Sequence, residues 1–263
     1  EIRVAITVDP EKGEATIDFT GTSPQHPRNY NAPKAIATAA VLYVFRTLVG
    51  RDIPLNEGCL KPLRLILPER SMINPAYPAA VIAGNTEVSQ AITEALYGAL
   101  GVIAGSQGTM NNFIWGNERF QNYETIAGGS GAGPGFDGAP CVQVHMTNTR
   151  ATDPEVLETR FPVRVERMAH RRGSGGQGAW TGGEGMHRVL RFLEPVTVTT
   201  LCSHRTVPVP GREGGHPGAI GKNRILRADG RTEPMAGNAR AELSAGDAID
   251  MLTPGGGGWG KPT

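Results

Sequence analysis

The residues with the clearest chemical potential lie in the segment His-Met-Thr-Asn-Thr-Arg at positions 145–150. A histidine can carry a proton near neutral pH, an asparagine can bind an amide group, and an arginine can stabilise an anion. We expect Asn148, Arg150 and Asp153 to converge on His145 at the end of a strand. The sequence therefore predicts that His145 and Arg150 take part in catalysis and that Asn148 binds the substrate. Asp153 is also explained as a helix cap, because a proline and an acidic residue follow it.

Glu124 precedes a second segment of interest, the glycine-rich run at residues 128–133. Glu124 would act as a general base if burial raised its pKa, or it would form an ion pair with an arginine such as Arg150. The glycines would let backbone N–H groups approach a ligand. However, no Gly-Lys-Ser/Thr follows the run and no βαβ pattern surrounds it, so a nucleotide site is not the favoured interpretation.

Polar amides are concentrated in Ser-Gln-Gly-Thr-Met-Asn-Asn, residues 106–112. Buried amides need hydrogen-bond partners. Asn111 and Asn112 are therefore predicted either to bind a substrate amide or to fix a loop through a buried hydrogen-bond network, and both interpretations stay open.

The glycine-rich segment 173–183 resembles a phosphate cradle in composition, but a flexible or tightly turned connector explains it at least as well. The glycine run 255–258 is either a turn that docks the C-terminal tail or a place where a partner approaches the backbone closely. Five basic residues form a cluster within residues 164–172, and we interpret them as a solvated strand edge rather than an anion site. They are Arg164, Arg167, His170, Arg171 and Arg172. No Gly-x-Ser-x-Gly or His-Glu-x-x-His motif is present, and nothing indicates a serine or cysteine nucleophile.

The elements that must position these residues follow from apolar periodicity. Alternation predicts a hairpin from residues 2–8 and 15–19. An Ala- and Leu-rich run that ends at Gly50 predicts a helix at 33–49, capped by Asn31, and an apolar stripe predicts a second helix from 85 or 86 to about 103. A short helix is predicted from Asp153 to about Arg160. Further strands are predicted at 63–67, 113–115, 123–126, 141–146, 161–168, 186–193, 196–203, 223–228, 239–243 and 247–252.

The order of these elements predicts an α+β fold, with helices in the N-terminal part and a β-rich C-terminal half. We expect residues 1–105 to form a region of hairpin and buried helices. Residues 106–263 are expected to form a β-rich region with glycine loops, and both regions should belong to one larger domain.

Composition and charge exclude several classes of function. Lys+Arg total 26 against Asp+Glu 25, and aromatic residues make up 6%, so no nucleic-acid surface is expected. No apolar run approaches about 18 residues, so no membrane span is expected. The three cysteines are widely spaced, which argues against a disulfide framework and favours a cytoplasmic setting. The chain begins at Glu1 inside a strand-like alternation, which indicates a fragment or a processed chain.

Taken together, the motifs resemble the hydantoinase B/oxoprolinase family, in the family's order and over almost the whole chain. The matching segments are Asp-Phe-Thr-Gly-Thr-Ser-Pro at 18–24, Asn-Ala-Pro at 31–33, Asp-Ile-Pro-Leu-Asn at 52–56, and residues 106–112, 123–129, 145–150, 172–176 and 254–258.

The resemblance implies an enzyme that uses ATP to hydrolyse or carboxylate a small carbonyl compound. It is closest to the 5-oxoprolinase branch, whose members open the cyclic amide 5-oxo-L-proline to L-glutamate. The alternatives are an N-methylhydantoinase or acetone-carboxylase type of B subunit, or a non-catalytic assembly module of such a complex.

The resemblance also implies partners. An A-type ATPase half or subunit would bind ATP and Mg and phosphorylate the substrate oxygen, and the B-type half would complete the reaction. A complete B-type half is longer than this chain, and its upstream part would hold a divalent metal. No metal ligand is assigned to this chain, which we expect to be one part of a hydantoinase B-type domain and inactive alone.

Overall fold

The computed structural model of the protein describes residues 1–262. Contacts divide the chain into two compact units, the first comprising Glu1–Val102 and the second beginning at Ile103. The predicted α+β fold is confirmed, because the two long helices lie in the N-terminal part and nine of the twelve described strands lie beyond it. None of the helices in residues 1–262 has the length and apolar composition of a membrane-spanning helix.

The first unit contains a small three-stranded sheet. Strands β1 (Ala5–Asp9) and β2 (Glu14–Asp18) form the predicted hairpin, and β3 (Leu63–Ile66) lies parallel to β2. Alternation places Ile17 in the interior and leaves the intervening residues toward solvent, as period-two patterning requires.

Two helices pack together in the first unit, α1 (Lys34–Leu48) and α2 (Ser89–Leu100). The predicted cap of α1 is wrong. Pro33 occupies the N-cap position without a side-chain cap hydrogen bond, while the buried amide of Asn31 bonds backbone groups of residues 26, 28 and 80. Asn31 therefore fixes the preceding loop.

The second predicted helix has a different beginning from the one expected. A π-helical turn, Gly84–Val88, leads into α2, and Gly101 in the left-handed conformation (φ 65°) ends it. A short 3₁₀ turn, Glu57–Leu60, precedes β3.

The second unit contains two antiparallel sheets, ordered β10-β9-β12-β7-β6 and β11-β8-β4-β5. Apolar side chains from both sheets form one buried cluster, which includes Phe113 and Trp115 from one sheet and Leu190 and Met251 from the other. The strands are β4 (Asn112–Gly116), β5 (Gln121–Thr125), β6 (Val163–Arg171), β7 (Gly185–Phe192), β8 (Val196–Leu201), β9 (Lys222–Leu226), β10 (Thr232–Met235), β11 (Asn238–Leu243) and β12 (Ala248–Leu252).

Two strand predictions in this unit need correction. Residues 141–146 do not form a strand: only Val142 pairs, in an isolated bridge with Gly128, and a turn follows. Strand β10 was not predicted, because Thr-Glu-Pro-Met lacks an apolar alternation. Its proline is tolerated because β10 is an edge strand.

Glycine-rich segments form a separate structure beside the sheets, which we call the glycine layers: residues 104–108, 128–133, 174–183, 210–218 and 254–258. Their backbones lie against one another. A methyl group built at Gly129 or Gly256 would fall within 3.0 Å of a neighbouring carbonyl oxygen, which real side chains essentially never do. Backbone hydrogen bonds join the layers, including Gly256 N–H to Gly183 O at 2.9 Å and Gly176 N–H to Gly256 O at 2.8 Å. This close packing of backbones explains why the segments are rich in glycine.

Candidate functional site

The predicted amide cluster, residues 106–112, leads into β4, whose first residue is Asn112, and is almost completely buried. The side chains of Gln107, Asn111 and Asn112 are at most 1% exposed. Buried amides at this depth must be paired inside the protein or by a ligand, since an unpaired buried polar group is costly.

Asn111 is held by one partner far away in the sequence, Arg205, and by two nearer ones. Its Oδ1 accepts a hydrogen bond from Arg205 Nη2 at 2.9 Å, and its Nδ2 donates to Gln107 Oε1 at 2.9 Å and to Ile126 O at 3.0 Å. Its backbone adopts a left-handed conformation with φ 47°, which asparagine tolerates better than most residues. Arg205 was not predicted from the sequence.

Arg205 is itself fixed by neutral groups. Its Nε and Nη2 donate to Asn223 Oδ1 at 3.1 and 3.0 Å, and its Nη1 donates to Ser203 O at 2.9 Å. A Cβ at Gly221 would overlap the guanidinium and displace it, so the glycine leaves room for Arg205 in this position. The arginine therefore has a defined position beside the amide cluster.

Gln107 completes the chain of amides. Its Oε1 accepts the bond from Asn111, while its buried Nε2 has no hydrogen-bond acceptor among the residues that the structure describes. The carboxamide lies against Gly128, where any side chain would displace it.

Asn112 is bonded within the second unit. Its Oδ1 accepts from the hydroxyl of Tyr123 at 2.7 Å, and its Nδ2 donates to Leu201 O at 2.7 Å. These bonds connect β4 to both neighbouring strands, β5 and β8. Asn111 and Asn112 thus use most of their hydrogen-bonding groups to bind other parts of this chain, which is the arrangement that the loop-fixing interpretation expects.

Glu124 forms a buried ion pair, but its partner is Arg188 and not Arg150. Arg188 Nη2 lies 2.8 Å from Glu124 Oε2 and 3.1 Å from Oε1, and the two side chains are 2% and 5% exposed. Asn122 Nδ2 also donates to Oε1 at 3.0 Å. Burial raises the pKa of Glu124 against the opposing effects of Arg188 and Asn122. The pair connects β5 to β7, and therefore the two sheets.

His145 lies in a turn and not at a strand end. Its φ of 51° is a left-handed value that a non-glycine residue rarely adopts, and its side chain is half-buried. The preceding Gln143 donates from Nε2 to the carbonyl and hydroxyl of Thr125, at 3.0 and 2.9 Å. Strain at a half-buried histidine motivates a functional hypothesis.

The side chains expected to converge on His145 are spread along the loop. Those of Asn148 and Arg150 are exposed and form no hydrogen bond or ion pair with residues 1–262. Asp153 Oδ1 accepts from the N–H groups of Glu155 and Val156, at 2.9 and 3.3 Å, and so caps helix α3 (Pro154–Arg160) as the helix-cap interpretation predicts.

Cys141, beside this turn, is a half-buried thiol. Its Sγ donates to Gly185 O at 3.3 Å, and burial raises its pKa to about 11. A thiol that stays protonated at neutral pH is a poor nucleophile. All three cysteines are free thiols.

The basic cluster lies along β6, an edge strand, and four of its members are exposed. Arg171 is the exception: it is half-buried and donates to Ile220 O and Thr253 O, at 2.7 and 2.9 Å. Across the described part of the chain, no group of three or more His, Cys, Asp or Glu side chains is arranged to hold a metal ion.

Comparison with known proteins gives a family for this architecture. The sequence profile described as hydantoinase B/oxoprolinase matches residues 1–262. The chain is 46% identical to "5-oxoprolinase 1" of Arabidopsis thaliana over 260 residues. This alignment covers 99% of this chain and 20% of that protein. The chain thus spans about one fifth of the length of this relative.

Two solved structures share the fold. The "ATP-dependent caprolactamase from Pseudomonas jessenii" superposes with a TM-score of 0.83 and 22% identity, over 98% of this chain and 48% of that one. A nucleotide-free acetone carboxylase gives a TM-score of 0.86 and 18% identity, over 98% of this chain and 41% of that one.

Proposed function

The chain belongs to the hydantoinase B/oxoprolinase family, and we propose that it forms part of an ATP-dependent enzyme that opens a cyclic amide. The first candidate substrate is 5-oxo-L-proline, which would be hydrolysed to L-glutamate. The observation that carries the proposal is the 46% identity to a 5-oxoprolinase over 99% of this chain.

The chemistry of the substrate explains why such an enzyme would need ATP. An unstrained amide is a poor electrophile, and phosphorylation of its oxygen creates a good leaving group. We assign ATP and Mg to an A-type ATPase half or subunit, and a divalent metal to another part of the B-type half. This chain would supply positioning and charge stabilisation in the cytoplasmic enzyme.

We assign the polar roles in this chain to the loop around His145. Its strained, half-buried histidine would carry a proton or anchor the substrate. The exposed side chains of Asn148 and Arg150 would bind an amide and stabilise an anion once a substrate or partner covers them. Glu124 would act as a positioning residue, because its ion pair with Arg188 fixes the end of β5.

A second proposal is supported by the amide cluster. Asn111 and Asn112 bind groups of their own chain, and the glycine layers pack backbone against backbone. These features suit an assembly module that organises a complex while the chemistry occurs in other segments. Under this proposal, substitutions at the loop would change association and not turnover.

The test uses the intact enzyme together with its A-type partner. The assay measures ATP-dependent formation of glutamate from 5-oxoproline, alongside a hydantoin, caprolactam, and acetone with bicarbonate. Ring opening with ADP release supports the hydrolase, whereas a product that requires bicarbonate places the enzyme in the carboxylase branch.

Variants at His145 then separate catalysis from assembly. His145→Asn removes the imidazole but keeps a residue that tolerates the left-handed backbone. We expect turnover to fall by about 10²- to 10⁴-fold with unchanged assembly. His170→Ala on the exposed edge strand β6 is the matched control. Full activity in His145→Asn removes this residue from the site.

A further inference from the structure

The hydrogen bonds through the amide cluster have a fixed direction, and that direction starts at Arg205. A guanidinium can only donate hydrogen bonds. The group of Asn111 that faces Arg205 Nη2 must therefore be the carbonyl oxygen, Oδ1, at 2.9 Å.

The orientation of Asn111 in turn fixes the orientation of the Gln107 carboxamide. With its oxygen facing Arg205, Asn111 must direct its NH₂ group toward Gln107 and toward Ile126 O, at 2.9 and 3.0 Å. Ile126 O can only accept, which confirms this orientation independently. The atom of Gln107 that meets Asn111 must then be its oxygen.

Gln107 is therefore the last member of the hydrogen-bonded series Arg205, Asn111 and Gln107, and the group that it leaves without a partner in the described part of the chain is its NH₂ group. This Nε2 is buried in a side chain that is 0% exposed, and no acceptor for it exists among residues 1–262. If the Gln107 carboxamide rotated by 180°, its NH₂ group would face the NH₂ group of Asn111. Asn111 cannot rotate in response, because its oxygen must face Arg205, so the alternative orientation of Gln107 is excluded. A buried donor that is held in this way is costly to the fold unless something else accepts its hydrogen bond.

We propose that Gln107 Nε2 is a substrate-binding group that donates a hydrogen bond to an acceptor oxygen of the cyclic amide, an inference that rests on the proposed function. Arg205 and Asn111 are positioning residues that hold the donor in place. The acceptor is either the ring carbonyl oxygen or a carboxylate oxygen of the substrate, since both groups accept from an amide.

The test compares two variants of Gln107 in the intact enzyme with its ATPase partner. Gln107→Met removes the donor, and Gln107→Glu keeps the shape and the Oε1 that Asn111 needs but replaces Nε2 by an acceptor oxygen. We expect KM for 5-oxoproline to rise about tenfold in Gln107→Met, the loss of one hydrogen bond, and further in Gln107→Glu. The melting temperature should fall in both variants, because Met removes the oxygen that Asn111 Nδ2 needs and Glu places a carboxyl group in a buried site, but the protein should remain folded at the assay temperature.

A second substrate identifies the acceptor. The compound 2-pyrrolidinone has the same ring carbonyl and no carboxylate. A rise in KM for both compounds assigns the ring carbonyl, and a rise for 5-oxoproline alone assigns the carboxylate. Asn117→Asp, at a half-buried amide on the β4–β5 turn that donates to Pro195 O, is the matched control and should leave both KM values unchanged.

Two outcomes overturn the assignment. Unchanged KM and kcat in both folded variants would show that the donor does not touch the substrate, and loss of folded protein in both would assign Gln107 to the fold. A wild-type enzyme that opens no cyclic amide would overturn the proposed function as well, so the two failures are distinguishable.

Discussion

Removing the charge of Arg188 should destabilise the second unit strongly, because it leaves Glu124 buried without its counter-charge. Both side chains are at most 5% exposed, and the closest pair of atoms is 2.8 Å apart. Breaking a buried pair from one side costs about 3–5 kcal/mol of the free energy of unfolding. For a unit of this size, that corresponds to a fall on the order of 6–20 °C in melting temperature.

The double variant should recover most of this loss. Replacing both members by apolar residues of similar volume, as in Glu124→Leu with Arg188→Met, removes the uncompensated charge and is often neutral. The hydrogen bond from Asn122 to Glu124 is also lost, at a cost of about 1 kcal/mol. We therefore expect the double variant to recover roughly 2–4 kcal/mol of the loss seen in Arg188→Met, so that the two substitutions are not additive.

The pH dependence of the single variant provides an internal check. Burial raises the pKa of Glu124, and Arg188 opposes that rise. In Arg188→Met the pKa should rise further. A carboxyl whose folded pKa is raised stabilises the fold below its unfolded value and loses that contribution as the pH rises through the folded value. The deficit of Arg188→Met should therefore shrink as the pH is lowered from neutral.

The free energy of unfolding is measured by calorimetry and by guanidinium denaturation of the intact protein. Wild type, the single variants and the double variant are compared at two pH values. A loss below about 1 kcal/mol in Arg188→Met, or strict additivity in the double variant, would refute the claim that the two charges compensate each other.

Three further predictions concern glycine, capping and titration. Gly256→Ala should lower the free energy of unfolding by roughly 3 kcal/mol or more, since the methyl group overlaps a carbonyl oxygen and two hydrogen bonds must shift; thermal unfolding measures this loss. Asp153→Ala should cost about 1 kcal/mol by removing the cap of α3, measured as faster amide exchange in that helix. The third prediction concerns Asp247. Desolvation acts to raise its pKa, but the hydrogen bonds that its carboxylate accepts, of which the one from Ala228 N–H has the largest effect, outweigh desolvation and lower the pKa. Its contribution is therefore present above the unfolded pKa of about 3.9 and lost as the pH falls through the folded value, so Asp247→Asn should differ from wild type in melting temperature near neutral pH and converge with it in acid.

Each of these predictions has a control. Gly50→Ala places its methyl in open space at an ordinary backbone angle and should stay within about 1 kcal/mol of wild type, so equal losses in both alanine variants would contradict the packing argument. Asp153→Asn should retain the cap, and an unchanged exchange rate in Asp153→Ala would contradict its role. A constant difference between Asp247→Asn and wild type at all pH values would exclude titration as the cause.

Local features of the fold could be predicted from the sequence. The hairpin of β1 and β2 follows from alternation, and the cap of α3 follows from the residues next to Asp153, because both depend on neighbours in the chain. The failed strand at residues 141–146 also alternates, but the left-handed backbone of His145 interrupts it. Short apolar alternation does not reveal such a turn.

The candidate site was less predictable, because its partners are distant in sequence. Arg205 lies 94 residues from Asn111, and Arg188 lies 64 residues from Glu124. A single sequence contains no signal that pairs them. The amide cluster itself was visible as a run of polar residues, but only the geometry distinguishes Gln107, with its open donor, from the neighbouring asparagines.

The glycine layers have a consequence for the temperature dependence of stability. Folding there removes peptide groups from water, with almost no apolar side chains. Exposure of apolar surface on unfolding raises the heat capacity, and exposure of polar surface lowers it. The glycine layers should therefore add little to the heat-capacity change of unfolding, or reduce it. Glycine also loses the most conformational freedom on folding. The second unit should therefore have a flatter stability curve than a protein of its size with a conventional core, and should lose less stability on cooling.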